Sequence, residues 1–81
     1  MRIGQLAAAH QVALSPHVVH ELSLHVAAAL PNAFLVEWID WVPPDLFEGM
    51  PRCESGAFRI SGRPGHGIAL TADAEKKYRL T

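Results

Sequence analysis

The sequence predicts an α/β fold organised around one parallel βαβ unit, and three observations predict it. Residues 11–15, Gln11-Val12-Ala13-Leu14-Ser15, form a short apolar run of strand length. Residues 18–30 carry Val19, Leu22, Val26 and Ala29 at spacings of three and four, the mark of an amphipathic helix. Residues 33–39 are then near-continuously apolar except for Glu37, the pattern of a strand covered on both faces in a parallel sheet. Parallel strands need a crossover of about a dozen residues, usually a helix, and the intervening segment supplies one. Such crossovers are right-handed in almost all cases.

The other elements follow in chain order. Residues 3–10 are alanine-rich and predict a helix with Ile3, Leu6 and Ala7 along its apolar side. Ser15-Pro16 reads as a helix start, because Ser caps and Pro is tolerated in the first turn. Pro31-Asn32 ends that helix, and Val42-Pro43-Pro44 ends the regular region. Residues 57–60 alternate like a half-exposed strand, residues 62–67 make a tight glycine-rich turn, and residues 68–70 are expected to pair back on 57–60. Thr71 is the expected cap of a short C-terminal helix with Asp73 and Glu75 in its first turn.

At 81 residues the chain has room for one small domain with a marginal core. A composition that is 49% apolar excludes disorder. No apolar run approaches the ~20 residues of a membrane helix, and the N-terminus lacks a signal peptide's apolar segment, so a soluble cytoplasmic protein is expected. A net charge of −1 with scattered basic residues leaves no footprint for nucleic acid. Cys53, the single cysteine, excludes an internal disulfide and a Cys-rich zinc module. Charge is distributed unevenly: residues 1–42 hold only Arg2, Glu21, Glu37 and Asp40, while the remainder holds eleven charged side chains. The first half reads as interior material that packs against protein outside these residues, and the second as a surface-running tail.

His17 and Glu37 are the candidate chemical groups. In a parallel βαβ unit both stand at the carboxyl edge of the sheet, where α/β proteins place their chemistry. Neighbouring strands lie ~4.8 Å apart, so side chains at adjacent strand ends address one small substrate. His17 is either a solvated histidine at a helix start or a general acid/base that titrates near working pH. A helix N-terminus disfavours the imidazolium, so a carboxylate beside it is wanted, and none is obvious in the sequence. Glu37, flanked by Leu35, Val36, Trp38 and Ile39, is either wet because the strand ends at Val36, or a buried carboxyl kept protonated to serve a developing oxyanion.

Other patterns carry less. His17, Glu21 and His25 at i, i+4 and i+8 invite zinc or nickel, yet His20-Glu21 precedes His25 by one residue more than the His-Glu-x-x-His spacing requires. Glu21 and His25 read more simply as an i, i+4 pair on an exposed face. Cys53 sits in a polar loop with no histidine nearby in sequence, which argues against a nucleophile. Residues 62–67 lack the Lys-Ser/Thr ending of a phosphate loop.

Ser15-Pro16-His17, Glu21-Leu22-Ser23-Leu24-His25, Ala27-Ala28-Ala29-Leu30-Pro31 and Glu37-Trp38-Ile39-Asp40, followed by Arg63-Pro64-Gly65-His66-Gly67-Ile68, resemble in this order the C-terminal stretch of mandelate racemase/muconate lactonizing enzyme-like members of the enolase superfamily. The resemblance implies a partial (β/α) TIM-type barrel: the last two strand–helix units over residues 1–48, then residues 49–81 as a β-hairpin and helix returning toward a capping domain. It implies that His17 moves a proton at the carbon α to a carboxylate, and that Glu37 hydrogen-bonds the resulting enediolate. It implies magnesium, bound by carboxylates that are not in this chain, and a small carboxylate substrate, an acid sugar or an α-hydroxy acid. Racemase (isomerase) and acid-sugar dehydratase (lyase) chemistry both remain open.

The expectation is therefore a C-terminal fragment, inactive alone, that needs the missing barrel portion or a homo-oligomer. The alternative is a small autonomous module that docks a partner through its apolar helix and sheet face. An autonomous module melts cooperatively as a compact monomer or dimer, whereas a barrel slice exposes large apolar patches.

Overall fold

A computed structural model describes residues 1–81. Three helices and four short strands divide between two compact units, Met1–Ile39 and Asp40–Thr81. No helix is long and apolar enough to cross a membrane.

The first unit holds α1, Arg2–Ala9, and α2, His20–Ala28. Between and after them the two predicted strands meet in a single parallel bridge, Leu14 to Ala33. The order is that of a βαβ unit, with each strand reduced to one paired residue. Residues 34–39 continue without ladder partners, and Phe34, Leu35 and Trp38 are exposed, so the expected strand covered on both faces is absent. Extended chain forms a ladder only beside another strand, and this unit offers one short neighbour.

Both helices turn an unexpected face inward. On α2 the buried residues are His20, Glu21, Leu24 and Ala27, continued by Leu30. The predicted stripe of Val19, Leu22 and Val26 faces outward. α2 is apolar around most of its circumference, so periodicity alone does not choose which face packs. On α1, Ile3 and Leu6 are exposed at 78% and 64%, while Gly4 is buried. A Cβ at Gly4 would collide with the Leu30 side chain. The bare glycine backbone is what lets α1 lie on Leu30. Asn32 closes the unit, donating from Nδ2 to the Val12 carbonyl at 2.8 Å and the Gly4 carbonyl at 3.2 Å. Ser15 does not cap α2: its N-cap is Val19, with no side-chain cap bond.

The second unit is built from two antiparallel pairs. β1, Phe47–Glu48, pairs with β4, Ala69–Leu70. β2, Arg52–Glu54, pairs with β3, Ala57–Arg59. Residues 68–70 thus pair with β1 and not with 57–60 as expected. The β2–β3 hairpin takes that partner first, since Ser55 and Gly56 both adopt positive φ, 51° and 76°, as a two-residue type I′ turn demands. α3, Ala72–Tyr78, is capped as predicted: Thr71 Oγ1 accepts from the Ala74 amide at 3.0 Å and donates to the Asp45 carbonyl at 2.7 Å. Ala74 is the buried residue of this helix.

Lys77 Nζ on α3 donates to Asp45 Oδ2 at 2.8 Å. That hydrogen bond holds the Asp45 carboxyl below its ordinary 3.8. The same bond, with Tyr78 adding to it, lifts Lys77 above its ordinary 10.5. The Asp45 contribution is complete above the ordinary carboxylate value and is lost as pH falls through the lowered one. The Lys77 contribution is complete below its ordinary value and is lost as pH rises through the raised one. The pair therefore supports α3 between about pH 4 and about pH 10. Lys77→Met is expected to flatten the acid limb: amide exchange across α3 should accelerate less between pH 5 and pH 3, after correction for intrinsic rates, than in the parent chain. Identical acceleration would show the pair to be inert.

Candidate active site

The site grows from the parallel bridge. The Leu14 amide donates to the Asn32 carbonyl at 2.9 Å, which fixes the level of the two extended segments. His17 lies three residues beyond Leu14 and Glu37 four residues beyond Ala33. At ~3.3 Å per residue in the same direction, both side chains arrive at one end. His17 Nδ1 stands 2.7 Å from Glu37 Oε2. The Val18 amide donates to the same oxygen at 2.8 Å. The Nδ1 edge of the ring thus faces the carboxyl group, and the Nε2 edge is left to face outward. The His17 side chain is 83% exposed and Glu37 41%.

Glu37 is thus the carboxylate beside His17 that the sequence did not reveal. It is exposed and not buried among its apolar neighbours, and Oε2 accepts from the Val18 amide. Oε1 remains for a third party, as does Nε2 of His17. Together they form an acceptor pair at an open face, able to take a proton and to hold a hydroxyl or an acid.

Two polar residues named in the metal pattern lie on the packed face of α2 and not on an exposed one. His20 and Glu21 are buried, with His20 Nδ1 at 3.5 Å from Glu21 Oε2. The His20 ring meets Trp38 edge-on, with ring centroids 6.3 Å apart. The signal was the spacing of His20 to Leu24 and Ala27, which puts the histidine on the packed face. Glu21 is consequently not part of an exposed pair with His25. Cys53 is exposed on β2, a strand and not a loop.

No three His, Cys, Asp or Glu side chains converge on a point, so the residues of this chain do not fit magnesium, zinc or nickel.

Residues 1–74 match the family model described as Enolase C-terminal domain-like. The chain is 36% identical over its full length to an L-talarate/galactarate dehydratase of Salmonella typhimurium, covering 20% of that protein. An L-talarate dehydratase of Polaromonas sp. JS666, solved with Mg and L-glucarate, superposes with a TM-score of 0.77 at 32% identity over 93% of this chain and 21% of that one. A mandelate racemase/muconate lactonizing enzyme from Jannaschia sp. CCS1 gives 0.81 at 32% identity over 99% and 22%. The chain thus spans about a fifth of the length of each. It belongs to the Enolase C-terminal domain-like family, within the enolase superfamily of mandelate racemase-like enzymes and acid-sugar dehydratases.

Proposed function

We propose that this chain carries the proton-transfer corner of an acid-sugar dehydratase, with His17 as general base. The observation that carries the reading is the 2.7 Å His17–Glu37 contact at the end of a parallel bridge. Nε2 takes the proton from the carbon α to the substrate carboxylate, and the electron pair left behind moves into an enediolate. As the enediolate collapses and the C–O bond to the β-hydroxyl breaks, the imidazolium of His17 returns its proton to the leaving oxygen, which departs as water, and the enol left behind tautomerises to the keto acid. Glu37 stands beside the imidazole, 2.7 Å from Nδ1, and its carboxyl hydrogen-bonds the enediolate. Dehydration is favoured over racemisation because the Salmonella and Polaromonas relatives are dehydratases.

Residues 1–48 act here as the last two strand–helix units of a (β/α) barrel, and residues 49–81 as the tail toward a capping domain. The exposed Phe34, Leu35, Ile3 and Leu6 support a surface covered by neighbouring barrel units. The magnesium that accompanies L-glucarate in the Polaromonas protein would take its carboxylates from outside these residues.

The test is a chimera in which these 81 residues replace the matching fifth of the Salmonella dehydratase. It is expected to turn over galactarate, while the 81-residue chain alone, given galactarate and Mg²⁺, does not. Turnover by the chain alone would overturn the fragment reading. A folded chimera that binds galactarate without exchanging its α proton would overturn the base.

A further inference from the structure

Glu37 sits on a segment with little of its own to hold it. Residues 34–39 run on from the Leu14–Ala33 bridge without ladder partners. Backbone that no ladder restrains is free to rotate about its peptides. The direction of the Glu37 carboxyl therefore depends on what grips it and its immediate neighbours.

Two contacts do so, both at the entry to α2. The Val18 amide donates to Glu37 Oε2 at 2.8 Å. Next in sequence, the Trp38 ring meets the His20 ring edge-on, with centroids 6.3 Å apart and planes at 71°. That geometry is favourable for an aromatic pair. The partners are unequal, since His20 is 4% exposed and Trp38 56%. His20 is set in the packed face of α2 with Leu24 and Ala27, so the histidine is the fixed ring and the indole leans on it. Residues 37 and 38 share a peptide. A rotation that redirects the Glu37 side chain also drags the indole off the buried imidazole.

We infer that His20 is a positioning residue for Glu37: its buried ring anchors Trp38 and, through the peptide between residues 37 and 38, keeps the Glu37 carboxyl on the Val18 amide. The inference rests on the proposed role of Glu37 toward the enediolate, but its first test reads geometry without substrate.

The ¹⁵N-labelled full chain is compared with His20→Ala, Trp38→Ala, the double variant and His20→Phe. In the parent the Val18 amide is expected to be protected from exchange, and its signal to shift as the Glu37 carboxyl is protonated, a shift absent from Glu37→Gln. His20→Ala and Trp38→Ala should each speed Val18 exchange about five-fold, the loss of one ordinary hydrogen bond, and shrink that shift. The double variant should exchange no faster than either single one, because the two rings make one contact. His20→Phe, which keeps a ring at the buried position, should stay near the parent. In the chimera with the Salmonella dehydratase, Trp38→Ala should lower kcat on galactarate about five-fold with KM held, matching the exchange effect.

A folded His20→Ala chain with a parent-like Val18 amide overturns the inference. So do additive losses in the double variant, which would mean that His20 acts on α2 alone, and a His20→Phe chain that exchanges as fast as His20→Ala. If His20→Ala melts α2, Trp38→Ala and His20→Phe decide, since Trp38 is exposed and its truncation leaves the packed face of α2 intact; a parent-like Val18 amide in Trp38→Ala then overturns the anchor. An inactive parent chimera beside an intact ring effect would sink the proposed reaction and leave the anchor standing. An active chimera in which Trp38→Ala changes neither Val18 exchange nor kcat would do the reverse.

Discussion

Replacing Leu30 with alanine is expected to destabilise the first unit by about 3 kcal/mol, within the range for truncating a buried leucine. The side chain is 5% exposed and lies on the Gly4 backbone of α1. Buried apolar residues of this unit are Leu24, Ala27 and Leu30, so one deletion removes much of what holds α1 to α2. A small domain has only a few kcal/mol in hand, and a loss of this size unfolds most of the population. Urea titration followed by helical circular dichroism, with amide exchange on α1, measures it. The paired control is Ile3→Ala, on the outward face, expected to change stability by no more than about 0.5 kcal/mol. Equal losses from the two substitutions would mean that α1 packs through its Ile3–Leu6 side and that the inward-facing glycine is incidental.

That contrast also marks where sequence reasoning ended. The α-helical and extended segments of the first unit are legible, because apolar runs and Pro31-Asn32 set their limits by local chemistry. So are the parallel relation and the arrival of residues 17 and 37 at one end, which follow from a helix lying between two runs. The Thr71 cap is legible for the same reason, needing only a hydroxyl and an amide three residues on. Which face of α2 packs is not legible, because apolar residues occupy both sides and the decision lies with Gly4, Leu30 and His20 together. The β2–β3 hairpin rests on Ser55-Gly56 reaching positive φ, and Ser-Gly is a weaker turn signal than Asn-Gly. Val18 and Val19 adopt positive φ, 56° and 48°, against the preference of β-branched residues, and this could not be foreseen. It occurs where Glu37 accepts from the Val18 amide and Ser23 donates to the Val18 carbonyl, a coincidence of tertiary structure. The departure from local rule falls beside the candidate base, where a fold is most apt to override local preference.

His17→Asn, made in the chimera with the Salmonella dehydratase, is expected to lower kcat on galactarate by roughly 10²- to 10⁴-fold, the usual share of a positioned acid/base. Asparagine keeps a polar group near Glu37 but has no nitrogen able to accept a proton from carbon. Galactarate binding is expected to survive, so an unchanged dissociation constant with lost turnover separates chemistry from folding. Exchange of the substrate's α proton into D₂O should vanish in parallel, because that step is the one assigned to Nε2. Glu37→Gln is expected to cost less, since the glutamine amide can still accept from the Val18 amide and still hydrogen-bond the enediolate. The double variant should fall little further than His17→Asn alone, because a hydrogen bond to the enediolate adds nothing once the base that forms it is gone. Independent, multiplicative losses would instead place Glu37's contribution in substrate binding. Undiminished α-proton exchange in His17→Asn would remove the base from this chain altogether, whatever the 2.7 Å contact suggests.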